Sequence, residues 1–351
     1  MPSRAQTILA IALALLGATG ASAETRSLRV TLPKQAEASV RQMAAEFKEG
    51  LEKRSGGALT IDLGQQHQVY RDDEIVSATS SGAIEIGGTT LNQFAYDVPL
   101  AGVFLQPFMF NFKALVRAAA KPGSEIRTLI DDEILYWTNA RVLWWQPNGS
   151  NVIVARRIPE DAAAIANLAV GATDDQSKEF VRVCSGQPHL LPTEGLHDAL
   201  KDATVQLALT DMPSVKAQSL WEVAEAIVDT RHAPSLFIVV INDRVWQGLT
   251  PEQQQAMMEV SRSLQERSWD RLLEVEAEAY SLARQKGMKI FDLMPADVEQ
   301  WRACSSPLLE AYMERIGEAG QKLFAAYGKL RTAPCCRQAP QAPVSAASAR
   351  Q

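Results

Sequence analysis

Positive charge is what this 351-residue chain has too little of: 35 Lys and Arg stand against 41 Asp and Glu, a formal net charge of −6. A phosphate-binding surface needs a basic excess, so nucleic acid is excluded as a partner, and so is a polybasic membrane-surface role. Only 4 histidines occur (His67, His189, His197, His232), none in a metal-ligand spacing, and no CxxC pair accompanies them. Zinc and other metal chemistry therefore lack a ligand set, and no cofactor is expected. Walker A, GxGxxG and GxSxG are missing, so no nucleotide loop or nucleophile elbow is present. The acidic clusters at 72–74, 131–133 and 174–175 fall at or near expected helix ends, where the helix dipole favours carboxylates, and read as solvated charges. The chain is not read as an enzyme.

Long apolar runs are missing too, except at the start. Arg4 precedes the apolar stretch 8–18, which is too short to span a bilayer comfortably, and "ASA" (21–23) fits a cleavage site. Residues 1–23 are read as a cleavable signal peptide, with an N-terminal membrane anchor as the competing reading. Export places the mature chain in the periplasm, an oxidising compartment for its 4 cysteines. Cys184 is expected to be buried and the adjacent Cys335 and Cys336 incidental, because neighbouring cysteines rarely bridge. Whether Cys184 and Cys304 meet is left open.

What is present is an ordinary globular composition, 46% apolar and 22% charged, in a chain longer than one core usually organises. Strand 27–33, helix 38–57, strand 58–64, helix 72–83 and strand 84–90 follow in β-α-β-α-β order, predicting an α/β fold with a largely parallel sheet. A second cycle follows: strands 141–147, 150–157 and 167–172, helix 177–186, a strand at 187–192, helix 194–203, then strands 205–211 and 235–242. Two lobes are expected rather than one long sheet.

Thr250, Pro251 and Gln253 make a strong helix start, and nothing breaks the pattern before Gly287. A helix over 251–286 is about 54 Å long at ~1.5 Å per residue, and without strict heptads it is expected to bridge the lobes. A further helix, 295–330, is expected to break at Pro307. The domain plan is then 24–147 plus about 236–268 for lobe I, 148–235 plus about 269–331 for lobe II, and a disordered tail at 332–351.

Several stretches, in order, resemble one family: "FKEGLEKRSGGALTIDL", "HQVYRDDEIVSATSSGAIEIG", "GVFLQPFMF", "SLWEVAEAIVDTRHAPSLFIVVINDRVWQGLTPEQQ" and "ARQKGMKIFDL". Across about 27–328 the chain is similar to the solute-binding receptors of tripartite ATP-independent periplasmic (TRAP) transporters, DctP-type. The resemblance implies a type II-like two-lobe periplasmic-binding fold and a cleft that closes on a small molecule. It also implies delivery to membrane permease subunits driven by an ion gradient. The receptor is expected to be a monomer. An interaction or sensor-accessory protein of the same fold is the alternative.

The likeness departs at the ligand clamp. Most members of that family grip a carboxylate with an arginine where this chain has Gly171, in "NLAVGA". A second family arginine corresponds to Asn151, a pocket aromatic to Thr193, and an Asn-Pro loop to "TDMP", with Thr210 and Asp211. Gln68, Thr90, Asn148 and His232 complete the candidate ligand-binding set. Three explanations stand side by side: the ligand is not a carboxylate; the clamp has moved to Arg231 or Arg71; or the cleft no longer binds. For Arg231, pairing with Asp211 or Asp229 is the structural alternative. His232 is more readily a satisfied structural histidine, and Asp72 a helix N-terminal charge.

Overall fold

The computed structural model describes residues 25–33, 36, 38–64, 70–158 and 165–336. In chain order they form β1 (Arg26–Thr31), α1 (Ala38–Arg54), β2 (Leu59–Asp62), α2 (Asp72–Ser81), β3 (Ile86–Thr90), α3 (Lys113–Ala120), α4 (Glu125–Thr138) and β4 (Ala140–Ala155). Then come β5 (Ala169–Ala172), α5 (Asp175–Val183), β6 (Gln187–Leu190), α6 (Leu196–Lys201), β7 (Leu207–Asp211), α7 (Met212–Ala217) and β8 (Ala226–Asp229). The chain closes with β9 (Pro234–Asn242), α8 (Asp243–Gln247), α9 (Pro251–Gln285), β10 (Lys289–Asp292) and α10 (Pro295–Thr332). The expected signal peptide lies outside the described residues.

The βαβ units are parallel as their helix-strand alternation dictates: β1 pairs with β2 and β3, and β5 with β6 and β7. β9 and β4 run antiparallel to their neighbours, so the sheet is mixed rather than largely parallel. β4 also corrects the expectation of two separate strands. Pro147-Asn148-Gly149 reads as a turn in sequence, but here it is a bulge inside one 16-residue strand. Gly149, at φ 146°, takes a backbone geometry that a side chain disfavours. The first part of β4 pairs with β9, in the ladder β2-β1-β3-β9-β4; its last residues pair with β7 and β8. One strand therefore joins both ladders: the hydrogen-bonded path of eight strands runs through it, and β8, with β10 beyond, branches from it.

Five apolar clusters lie along these ladders, the smallest formed by Ile75, Ala78 and Ile84. Trp144 and Trp145 alternate across β4 and are both fully buried, on opposite faces: Trp144 against Phe47 (4.9 Å between centroids), Trp145 against Phe104 (5.5 Å). The helix α9 starts with the expected capping box, Thr250 and Gln253 bonding each other's backbone N–H. Its first half packs Met257 and Leu264 beside Phe47 and Trp144, and its second half packs Ala279 and Ala283 beside Val152 and Leu196.

Gln265, buried mid-helix, accepts from Arg127 Nη1 (2.6 Å) and from the backbone N–H of Trp145 (3.1 Å). Arg127 also binds Asp131 (2.9 Å), which accepts from Trp145 Nε1 (2.8 Å). Asp131 is thus part of an interior network and not a solvated helix-end charge. Burial pushes its carboxyl above the usual range against the opposing pull of Arg127.

α10 breaks at Gly317 (φ 49°, ψ −132°) rather than at Pro307, because only glycine reaches that conformation cheaply. Its start carries Trp301 into the core around Ile153 and Phe180, while Tyr312, Ile316 and Leu323 enter the core around Trp145. The later half of α10, expected in lobe II, thus packs on lobe I. Cys184 and Cys304 are joined in a disulfide, tying the end of α5 to α10. Cys336 is buried against α3 and is not incidental tail; burial raises its thiol to about 11. The expected disordered tail is ordered as far as 336, and residues 337–351 lie outside the described residues.

Candidate functional site

Where β4 passes from one ladder to the other, a cavity of about 640 Å³ opens between them. One wall comes from the first ladder. Thr89 and Thr90, at the end of β3, donate to the two oxygens of Asp72 (2.7 and 2.6 Å), and Gln93 Nε2 adds a third bond at 3.0 Å. Asp72 opens α2, where its charge also meets the helix N-terminus. Thr90, Asp72 and Gln93 all line the cavity. The reading of Asp72 as only a helix-end charge is therefore too narrow. Two consecutive threonines at a strand end, facing an acidic helix start, were the signal for it.

The opposite wall is built on the end of β7 and the link into β9. Asn151 pairs in register with Asp211, and its N–H donates to Ala233 O (2.9 Å). Asp211 caps α7 by accepting from the Ser214 N–H at 2.8 Å. Burial, with the nearby charge of Glu276, pushes the Asp211 carboxyl upward against the bonds from Ser214. Thr210, only 7% exposed, lines the same wall. His232 is 3% exposed, stacks on Phe180 (4.7 Å, 10°) and has Nδ1 2.7 Å from Thr230 Oγ1. Burial holds its pKa down at about 3, so the ring is neutral at physiological pH.

Of the candidate residues, Thr90, Asn148, Asn151, Thr193, Thr210, Asp211 and His232 all line this cavity. Gln68 lies outside the described residues. Gly171 does not line it: a Cβ there would meet Leu196 Cδ2 at 3.0 Å and Leu191 Cδ1 at 3.6 Å. The space that a long side chain would use to leave this strand is filled by leucines.

Neither proposed substitute for the clamp reaches the cavity. Arg231, at φ 42°, turns to Asp229 (Nε to Oδ1 3.1 Å) and to Tyr280 on α9. Arg71 is exposed and bonds Asp73 at 2.7 and 3.0 Å. Among the described lining residues there is no Lys or Arg, while Asp72, Asp174, Glu194 and Asp211 are all acidic. Asp174 and Glu194 were not among the candidates; Asp174 in particular reads in sequence as the cap it also is, accepting from the Ser177 N–H at 2.7 Å.

Residues 34–316 match the sequence profile of a family described as bacterial extracellular solute-binding protein, family 7 (DctP). The sialic acid-binding periplasmic protein SiaP of Vibrio cholerae serotype O1 is 20% identical over 317 residues, 89% of this chain and 97% of its own. The 2,3-diketo-L-gulonate-binding periplasmic protein YiaO of Escherichia coli (strain K12) is 24% identical over 219 residues, 61% of this chain and 65% of its own. Among solved structures, DctP7, a Bordetella pertussis extracytoplasmic solute receptor binding pyroglutamic acid, has a TM-score of 0.78 at 18% identity, over 87% of this chain and 100% of that one. The ectoine-binding protein of the TeaABC TRAP-transporter of Halomonas elongata has a TM-score of 0.76 at 16% identity, over 88% and 100%. At these identities the structures establish a shared fold.

Proposed function

The chain belongs to family 7 of the bacterial extracellular solute-binding proteins, and from that premise we propose that it is an exported receptor delivering a solute other than an organic acid to a TRAP-type permease. The observation that carries this reading is the cavity between the two ladders, lined on both walls by buried polar side chains and by no described cation. A carboxylate bound there has no bidentate partner, and a charged hydrogen bond left unmade costs about 1.5–3 kcal/mol. The signal peptide over 1–23 places the mature receptor in the periplasm.

Closure is a hinge on β4, the strand that enters both halves, with α9 spanning them. Glu276 of α9 sits at this crossing. It accepts from the Ser150 N–H (3.2 Å) and pairs with Lys113 of α3.

Small-angle scattering of the mature protein, with and without a desalted small-molecule extract of the source cells, tests this function. A receptor contracts when the extract is added. An unchanged radius of gyration at every extract concentration favours the non-transport sensor-accessory role instead.

A further inference from the structure

Resting on the receptor reading above, we infer that the cavity binds a small organic cation bearing protonated N–H groups, an amine or guanidinium, held by Asp211 on one wall and Asp72 on the other. The inventory of charge on its described wall is one-sided; Arg315, which lines the adjoining space, is turned to the Ala95 carbonyl at 3.0 Å. Four carboxylates line the described wall and no Lys or Arg does, and His232 is neutral. A concave, poorly solvated site lined with one sign of charge focuses its potential and concentrates the opposite ion. Helix N-termini offset part of this: Asp174 and Asp211 cap α5 and α7. A helix terminus carries about half a unit charge, less than one carboxylate; burial and Glu276 push the Asp211 carboxyl upward in the empty site, and a cation beside it favours the ionised form.

A second observation points to a ligand independently of the acids. Thr210 is buried to all but 7% and lines the cavity, yet its hydroxyl has no partner among the described residues. His232, 3% exposed, is tied at Nδ1 by Thr230, and its Nε2 has no partner among them. Thr230 Oγ1 also donates to the Asn151 carbonyl (3.2 Å). Assigning the single Thr230 proton to that carbonyl selects the tautomer in which the imidazole Nδ1–H donates to the threonine and Nε2 accepts. Both residues line the cavity, where a solute can supply the missing partner.

An acceptor imidazole, a hydroxyl and a carboxylate lining one cavity match a solute that donates several hydrogen bonds and carries positive charge. A quaternary ammonium would leave all three without a donor, and a neutral polyol would leave the charge unanswered. Asp72, already accepting three bonds, has one lone-pair site left for the far end of the solute.

The test separates this assignment from the receptor reading. A small-molecule extract of the source cells is split by ion exchange at pH 7 into cationic, anionic and unretained pools, and each is titrated against the mature protein in a thermal-shift assay. Stabilisation by the cationic pool is the expected result. Stabilisation by the unretained pool alone overturns the cation and leaves the receptor of a non-acidic solute standing; stabilisation by the anionic pool alone overturns the non-acidic solute as well; no response to any pool overturns the receptor too.

Asp211→Asn keeps an oxygen for the α7 cap, and it is expected to raise the half-saturating amount of cationic pool about tenfold or more. Thr210→Val, which removes no charge and no cap, is expected to raise it severalfold with the unliganded melting temperature nearly unchanged. It decides the matter if the Asp211 variant does not fold. An undiminished response in both variants overturns the assignment.

Discussion

Removing the Cys184–Cys304 disulfide should cost this receptor a large part of its stability. The bond closes a loop of 120 residues that contains β6 to β10 and the whole of α9. In the loop-entropy picture this corresponds to about −16 cal/mol/K in the unfolded chain, or about 4.9 kcal/mol at 25 °C, which is an upper figure because measured values run nearer 2–4 kcal/mol. Native contacts change little on reduction: Cys184 closes α5, Cys304 sits one turn after Trp301, and both flank the stack of Phe180 on Trp301 (5.4 Å). The experiment is urea and thermal unfolding of the mature protein beside Cys184→Ala/Cys304→Ala, each with and without dithiothreitol. The wild type should lose about 2–5 kcal/mol on reduction and melt on the order of 10 °C lower, and the double variant should start there and not respond. A double variant that melts within about 2 °C of the wild type, with no effect of reductant, refutes the reasoning.

Three further outcomes follow from the same structure. Arg127→Ala removes one of two partners from the half-buried carboxylate of Asp131 and from the amide oxygen of Gln265, and should cost about 3–5 kcal/mol in denaturant unfolding because the guanidinium itself is buried, whereas a surface pair such as Lys329–Glu125 should cost under about 1 kcal/mol. His232 is held near a pKa of about 3, below the ordinary value of 6.5, so the unfolded chain binds the proton first and its contribution to stability is full above pH 6.5 and lost as pH falls toward 3. Stability measured at pH 4.5 should therefore fall by up to about 2.7 kcal/mol through this group, and His232→Gln should flatten that part of the profile. Gly171→Arg should fail to create binding of carboxylates such as pyroglutamate and should destabilise by about 1–3 kcal/mol as Leu196 and Leu191 are displaced; acquisition of acid binding, read by calorimetry, would contradict the placement of that position.

Local signals were legible where the physics is local. The capping box at Thr250 and the apolar spacing Val40, Met43, Phe47, Leu51 give α9 and α1 within a few residues. The position of Thr210, Asp211 and Asn151 on the cavity wall was also legible, because the family likeness sets those segments beside a cleft. What the sequence hides is long-range. Nothing near Cys184 or Cys304 says that 120 residues fold back to join them. Pro147-Asn148-Gly149 carries turn residues, yet pairing with β9 on one side of it and β7 on the other makes it a bulge in a continuous strand. Which way position 171 faces depends on leucines 191 and 196, and the partners of Asp131 and Asp72 lie on other elements.

Native mass spectrometry of the protein, purified gently from the cells that make it, tests the central claim most directly. A receptor should carry a small molecule that is released on denaturation, and the account predicts a nitrogenous cation without a free carboxylate. A retained organic acid, or protein that is ligand-free in every preparation and unmoved by any of the three extract pools, would contradict it.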